Sequence, residues 1–190
     1  VGGVTRTRLA HIRADGTLGD WNPSANNTVN TIAVDGDTIY VGGIFSQLGG
    51  QARSRLGAIA ADGTLLDWNP GANSEIYALA VQGASVYVAG NFTELGAQPR
   101  NYLAAVGTDG TLLNWNPGAN SLVFSLQLAD TAVYVGGNFT QIGGVGRNYL
   151  AAIDANAEQM VGRSPNQRSA GIIDHGMDDP LAAQCTHILH

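Results

Sequence analysis

The tripeptide Trp-Asn-Pro occurs at residues 21–23, 68–70 and 115–117, a spacing of 47 residues twice over. A fixed period of this length marks a tandem architecture, in which each unit buries its apolar face against the next. Other motifs obey the same interval. Tyr40-Val41-Gly42-Gly43 returns as Tyr87-Val88-Ala89-Gly90 and Tyr134-Val135-Gly136-Gly137, and Asp15-Gly16-Thr17-Leu18 returns as Asp62-Gly63-Thr64-Leu65 and Asp109-Gly110-Thr111-Leu112. Residues 48–94 and 95–141 are identical at 26 of 47 positions without a gap.

Within one period, Ile76 to Val81 is a short β-favouring run, Gln82-Gly83 reads as a turn, and Ser85 to Val88 begins a second run. The equivalent turn in the first repeat holds Asp35-Gly36, a pair suited to the positive φ of a two-residue hairpin loop. A third run, Tyr102 to Val106, leads through Asp109-Gly110 into Thr111 to Trp115, where Asn116-Pro117 ends the ladder because proline has no N–H to give. No segment of the repeat carries apolar residues at helical spacing. Four short antiparallel strands per unit, repeated in tandem, predict an all-β fold, a partial β-propeller of three to four four-stranded blades. The repeats are expected over 1–157, as 1–47, 48–94, 95–141 and a partial unit 142–157.

Three further stretches carry a family resemblance: Val88-Ala89-Gly90-Asn91-Phe92-Thr93 with its copy Val135-Gly136-Gly137-Asn138-Phe139-Thr140, then Arg147-Asn148-Tyr149-Leu150-Ala151-Ala152, and the Asp-Gly-Thr-Leu turn. Over residues 2–157 the chain resembles the delta-60-type repeats of bacterial β-propeller proteins of uncharacterised function, and is similar to repeats of fungal cortical-marker propellers. It departs from them where Trp-Asn-Pro stands in place of the usual Phe. The resemblance implies an extracellular or cell-surface propeller and no set of catalytic residues.

Gly2-Gly3 aligns with Gly49-Gly50, so the repeat begins in mid-unit. An open arc is therefore expected, closed only by further blades in cis or by another chain. Residues 158–190 lack the period and hold both Met, the one Cys and three of the four His. Asp179-Pro180 could cap a short helix there; a disordered end is the other expectation. No secretory leader and no membrane span is expected, since the longest apolar runs are far short of the roughly 20 residues a spanning helix needs.

Composition narrows the function classes. The chain has 26 Gly, well above the usual share of about 7%, a net charge of −6, and nine basic residues that are all Arg. Nucleic-acid binding is disfavoured, because tracking phosphates needs clustered positive charge. One Cys excludes an intrachain disulfide framework or a Cys-rich zinc module.

Recurring residues are poor catalysts, since catalysis gathers unlike groups at one point whereas copies of a repeat are spread apart. Trp21, Trp68 and Trp115 read as packing residues between units, or alternatively as aromatic platforms for sugar rings beside Asn26, Asn73 and Asn120. Arg53, Arg100 and Arg147 read as clamps on backbone carbonyls, and Asp15, Asp62 and Asp109 as turn residues. Asn26-Asn27-Thr28, Asn91-Phe92-Thr93 and Asn138-Phe139-Thr140 match the glycosylation pattern, but the last two belong to the repeat. His175, Asp178, Asp179, Cys185, His187 and His190 match no zinc spacing. No metal or other cofactor is expected. Positions that break the repeat deserve separate notice: His11 stands where the other units have Ala, and Glu75 stands where they have Thr28 and Leu122.

These features point to a non-catalytic binding or scaffolding segment of a larger extracellular or surface protein, with an unknown protein or glycan as partner. A lectin-like propeller using the Trp-Asn-Pro motifs is the alternative. A further one is a fragment of a propeller enzyme whose active site lies on other blades.

Overall fold

The computed structural model describes residues 3–156, and every regular element in that span is a β-strand. The expectations for the tail, residues 158–190, lie outside the described residues. Each repeat supplies five strands. In the first, β1 (Val29–Asp35) and β2 (Thr38–Gly43) form a hairpin, β3 (Gln47–Leu48) and β4 (Gln51–Ala52) a second very short one, and β5 (Leu56–Ala60) returns beside β2. The second repeat follows with β6 (Ile76–Gln82), β7 (Ser85–Gly90), β8 (Glu94–Leu95), β9 (Gln98–Pro99) and β10 (Leu103–Gly107). The third has β11 (Val123–Ala129), β12 (Ala132–Gly137), β13 (Gln141–Ile142), β14 (Val145–Gly146) and β15 (Leu150–Asp154).

The sheets are antiparallel, three of three strands in the orders β1-β2-β5, β6-β7-β10 and β11-β12-β15, and three of two strands. Blades of four strands were expected, and the fourth is reduced to single bridges, Ile59 to Leu65 and Val106 to Leu112. The strand leaves the ladder after Leu66 and Leu113, whose N–H groups donate to Ala58 and Ala105, ahead of the Asn-Pro step expected to end it, where the indoles of Trp68 and Trp115 turn to the next repeat. The two-residue hairpins β3-β4, β8-β9 and β13-β14 are additions that the apolar pattern did not signal.

The sheets are apolar on the faces they turn to one another, and the middle sheet is covered on both. Tyr40, Leu56 and Ala58 of the first sheet pack with Ile76, Val86, Val88 and Val106 of the second. Tyr87, Leu103 and Ala105 of the second pack with Val123, Val133, Val135 and Ile153 of the third. Leu9 and Ala25 of the incomplete first unit cover Val41 and Ile59. Phe45, Phe92 and Phe139, one per repeat, are 0% exposed, and burying such a side chain stabilises the fold by about 1.5–3 kcal/mol. The edge strands β1, β6 and β11 lie side by side, β1 against β6 and β6 against β11. Asn30 Nδ2 donates to the Ile76 carbonyl at 2.9 Å, Leu79 N–H donates to Thr31 Oγ1 at 3.1 Å, and Gln82 Nε2 donates to the Asp130 carbonyl at 3.0 Å.

Two backbone irregularities recur once per repeat. Arg8, Arg55, Tyr102 and Tyr149 hold left-handed φ values of 65–68°, a conformation that costs a non-glycine residue of order 1 kcal/mol or more. It is fixed by the N–H of Arg55, Tyr102 and Tyr149, which reaches back to the carbonyl of Phe45, Phe92 and Phe139. The first strand of each sheet also carries a β-bulge, seen as register shifts between Val29 and Thr31, Ile76 and Ala78, and Val123 and Ser125. Opposite the bulge the chains approach so closely that only glycine fits: a Cβ on Gly90 would lie 2.2 Å from the Glu75 carbonyl oxygen.

Gly90→Ala is therefore expected to destabilise the chain by about 3 kcal/mol or more through overlap with backbone. Gly83→Ala, at φ +56° with open space around it, should cost about 1 kcal/mol. Urea unfolding of the two variants measures the difference.

Candidate functional site

The recurring tryptophans join one repeat to the next. Trp21 Nε1 donates to the Ala60 carbonyl at 3.2 Å, Trp68 Nε1 to Gly107 at 2.8 Å and Trp115 Nε1 to Asp154 at 2.9 Å, each 39 residues further along. Trp68 meets Tyr40 edge-on with ring centroids 5.0 Å apart, and Trp115 meets Tyr87 at 5.1 Å, an arrangement that adds about 0.5–1.5 kcal/mol to area burial. Trp68 and Trp115 are only 6% and 5% exposed. Neither indole has a free face for a sugar ring, so these two pack between units rather than forming the alternative platform, and Trp21, half-buried, is bonded in the same way.

Three other sets of recurring side chains are also engaged internally. Asn73 accepts from the N–H groups of Thr93 and Glu94 and donates to Thr93 Oγ1, and Asn26 and Asn120 do the same with Ser46-Gln47 and Thr140-Gln141. These amides tie the segment after Trp-Asn-Pro to the short hairpin. Arg53 bridges the carbonyls of Ala52 and Leu66, and Arg100 those of Pro99 and Leu113. Both are buried, and burial pulls the Arg100 pKa below its usual value. Arg147 donates to Gly146. Asp15, Asp62 and Asp109 accept the N–H of Thr17, Thr64 and Thr111 at 2.9 Å. The threonine hydroxyl acts first at Asp15 and the backbone N–H first at Asp62 and Asp109; together these bonds hold all three carboxyls below their ordinary value.

Two places depart from this internal bonding. One is an open cleft of about 330 Å³ at the third repeat, lined by Pro99, Asn101, Asn116, Pro117, Asn120, Gln141 and glycines of two turns. The side-chain amides of Asn101, Asn116 and Gln141 have no partner among the described residues. The lining contains no acid, base or nucleophile.

The other is a cluster at the bulges. Tyr77 donates its hydroxyl proton to Glu75 Oε2 in a short hydrogen bond, and this bond to the carboxylate, with some burial, pushes the phenol up to about 12. Its ring lies 5.4 Å from that of Phe124 on the next edge strand. Glu75 stood out in the sequence as the lone acid at its repeat position, but its partner did not; a spacing of two along a strand was the available signal. His11, the other departure, is exposed at the incomplete first unit. Among the described residues no group of three His, Cys, Asp or Glu is placed to hold a metal ion, and no helix is long and apolar enough to cross a membrane.

No protein-family model matches the chain, and no curated protein matches it. Among solved structures it is similar to the computationally designed Ika8 protein, at 16% identity and a TM-score of 0.49, over 70% of this chain and 35% of that one. It is also similar to the computationally designed Ika4 protein, at 16% identity and a TM-score of 0.35, over 67% of this chain and 91% of that one. At these scores neither likeness fixes the arrangement of the sheets, and the chain spans about a third of the length of the first.

Trp68→Phe keeps an aromatic ring but removes the indole donor from the Gly107 carbonyl, which retains the Gly110 N–H, and should cost about 0.5–1.5 kcal/mol in chemical denaturation for the lost bond; Trp68→Ala should cost about 3–5 kcal/mol. The aspartates set an acid dependence. Because their folded pKa values lie below the unfolded one, they stabilise the fold above the ordinary carboxyl value of 3.8, and that contribution fades as pH falls through the folded values. A variant carrying Asp15→Asn, Asp62→Asn and Asp109→Asn should lose less stability on acidification than the parent, measured by thermal melts across that range.

Proposed function

We propose that the three sheets are successive blades of an open β-propeller arc, and that the chain is a non-catalytic binding or scaffolding module of the extracellular or surface class that the delta-60-type resemblance implies. Support for the blade arrangement comes from the indole bonds and aromatic pairs, which stack each unit on the next in one repeated geometry. The observation that carries the functional reading is the division of polar side chains. Asn26, Asn73, Asn120, Arg53 and Arg100 are bonded internally, whereas the Trp-Asn-Pro asparagine Asn116, with Asn101 and Gln141, presents an amide without a partner to the cleft at the third repeat, whose lining holds no group able to transfer a proton or attack a bond. Such a lining offers hydrogen bonds and positions a ligand without reacting with it.

Recognition of a glycan is favoured by the same cleft, since neutral carboxamides match sugar hydroxyls in both donor and acceptor capacity. A protein loop is the other occupant that fits. Immobilised protein should capture a ligand from a glycan array or a displayed peptide library. Asn116→Ala and Gln141→Ala should weaken that capture at least about twofold, each bond being worth roughly 0.5–1.5 kcal/mol, with the melting temperature unchanged. Ligand turnover detected by mass spectrometry, or capture indifferent to both substitutions, would overturn the reading.

A further inference from the structure

The bulge of each sheet leaves one residue outside the ladder: Asn30, Tyr77 and Phe124, at equivalent positions in the three repeats. Bulges re-aim side chains and are frequent beside binding sites. Here the three face a common edge, because β1, β6 and β11 lie side by side. Tyr77 and Phe124 are in ring contact at 5.4 Å, and Asn30 Nδ2 is held by the Ile76 carbonyl next to Tyr77. The chain is otherwise strongly repetitive, yet at this position it has three different residues, and two places earlier it has Thr28, Glu75 and Leu122.

The chemistry of the cluster is specific. Glu75 makes no ion pair among the described residues; its bond to the Tyr77 hydroxyl leaves its negative charge uncompensated. Phe124 is 45% exposed. A carboxylate bonded to one aromatic side chain whose ring packs against a second, partly exposed one suits a cation carried on a methylene stem: the charge is attracted to the carboxylate and to the ring quadrupoles, and the stem covers the exposed part of the Phe124 ring. The net charge of −6 and the absence of lysine favour approach of a basic partner. We propose that Glu75, Tyr77 and Phe124 receive a lysine or arginine side chain of a partner polypeptide.

The site is distinct from the amide-lined cleft, and its biological sense rests on the binding reading above. Three capped tripeptides, Gly-Lys-Gly, Gly-Arg-Gly and Gly-norleucine-Gly, are titrated into the full chain while the ring resonances of Tyr77 and Phe124 are followed by NMR. The lysine or arginine peptide should shift both rings saturably at millimolar concentration, and the uncharged norleucine peptide should not. Glu75→Gln, which keeps an acceptor for the tyrosine hydroxyl, should weaken binding at least about threefold, as should added salt. Phe124→Leu provides a second variant, and unchanged amide spectra away from β6 and β11 confirm that both variants fold. Equal shifts by norleucine, titration unaffected by Glu75→Gln, or silent rings would each overturn the proposal. Loss of this binding with the cleft still occupied by its own ligand removes this site alone, whereas turnover at the cleft would remove the general reading and leave these titrations standing.

Discussion

Each indole N–H is donated to a main-chain carbonyl 39 residues ahead, at the end of the third strand of the following sheet. That one bond couples the end of a unit to the next unit before its own ladder is complete. It places a large ring between two sheets, against Tyr40 or Tyr87, and so fixes both the separation and the register of the stack. Sheets of three short strands bury too little to persist alone. The middle sheet is apolar on both faces because it has a neighbour on each side, and the indole supplies the directional part of an otherwise non-directional attraction.

The remaining recurring side chains serve the same stack at shorter range. Asn73 stitches the loop after Trp-Asn-Pro to the two-residue hairpin, Arg53 and Arg100 close the corner before the Asp-Gly turn, and Asp62 shapes that turn. These bonds satisfy backbone groups that so short a ladder leaves over. They also explain why the motifs are polar without being active: an amide with three internal partners or a guanidinium between two carbonyls has little left for a ligand.

Much of this was legible in the sequence because the scaffold repeats and chemistry constrains it tightly. Tyr-Val-Gly-Gly, Asp-Gly-Thr-Leu and Trp-Asn-Pro locate the hairpin, the turn and the ladder's end. The hairpin turn itself falls one residue later than expected, at Gly36-Asp37, since Asp35 pairs with Thr38. The short hairpins escaped notice because two residues per strand, such as Glu94-Leu95 and Gln98-Pro99, cannot display an alternation. The fourth strand was overcalled because Thr111 to Trp115 has strand composition, while the bond from Trp115 to Asp154 directs it elsewhere. Asn116 lies in the Trp-Asn-Pro motif itself, but nothing in the sequence marks its amide, or those of Asn101 and Gln141, as free, since being unpartnered is a property of the surroundings.

The bulge shows most clearly how structure and specificity separate in this chain. Its backbone is set by a rigid requirement, Gly43, Gly90 and Gly137 each pressed against a carbonyl with no room for a Cβ, and the same glycine recurs in every repeat. The residue that the bulge releases is under no such constraint from the ladder. It is therefore free to differ, and Asn30, Tyr77 and Phe124 do differ while the backbone that presents them does not. A repeated scaffold that holds unlike side chains at equivalent points along neighbouring edges can bring unlike groups together without a special fold. Glu75, with Tyr77 and Phe124, is where that capacity has produced a group with charge, aromatic surface and exposure in one place.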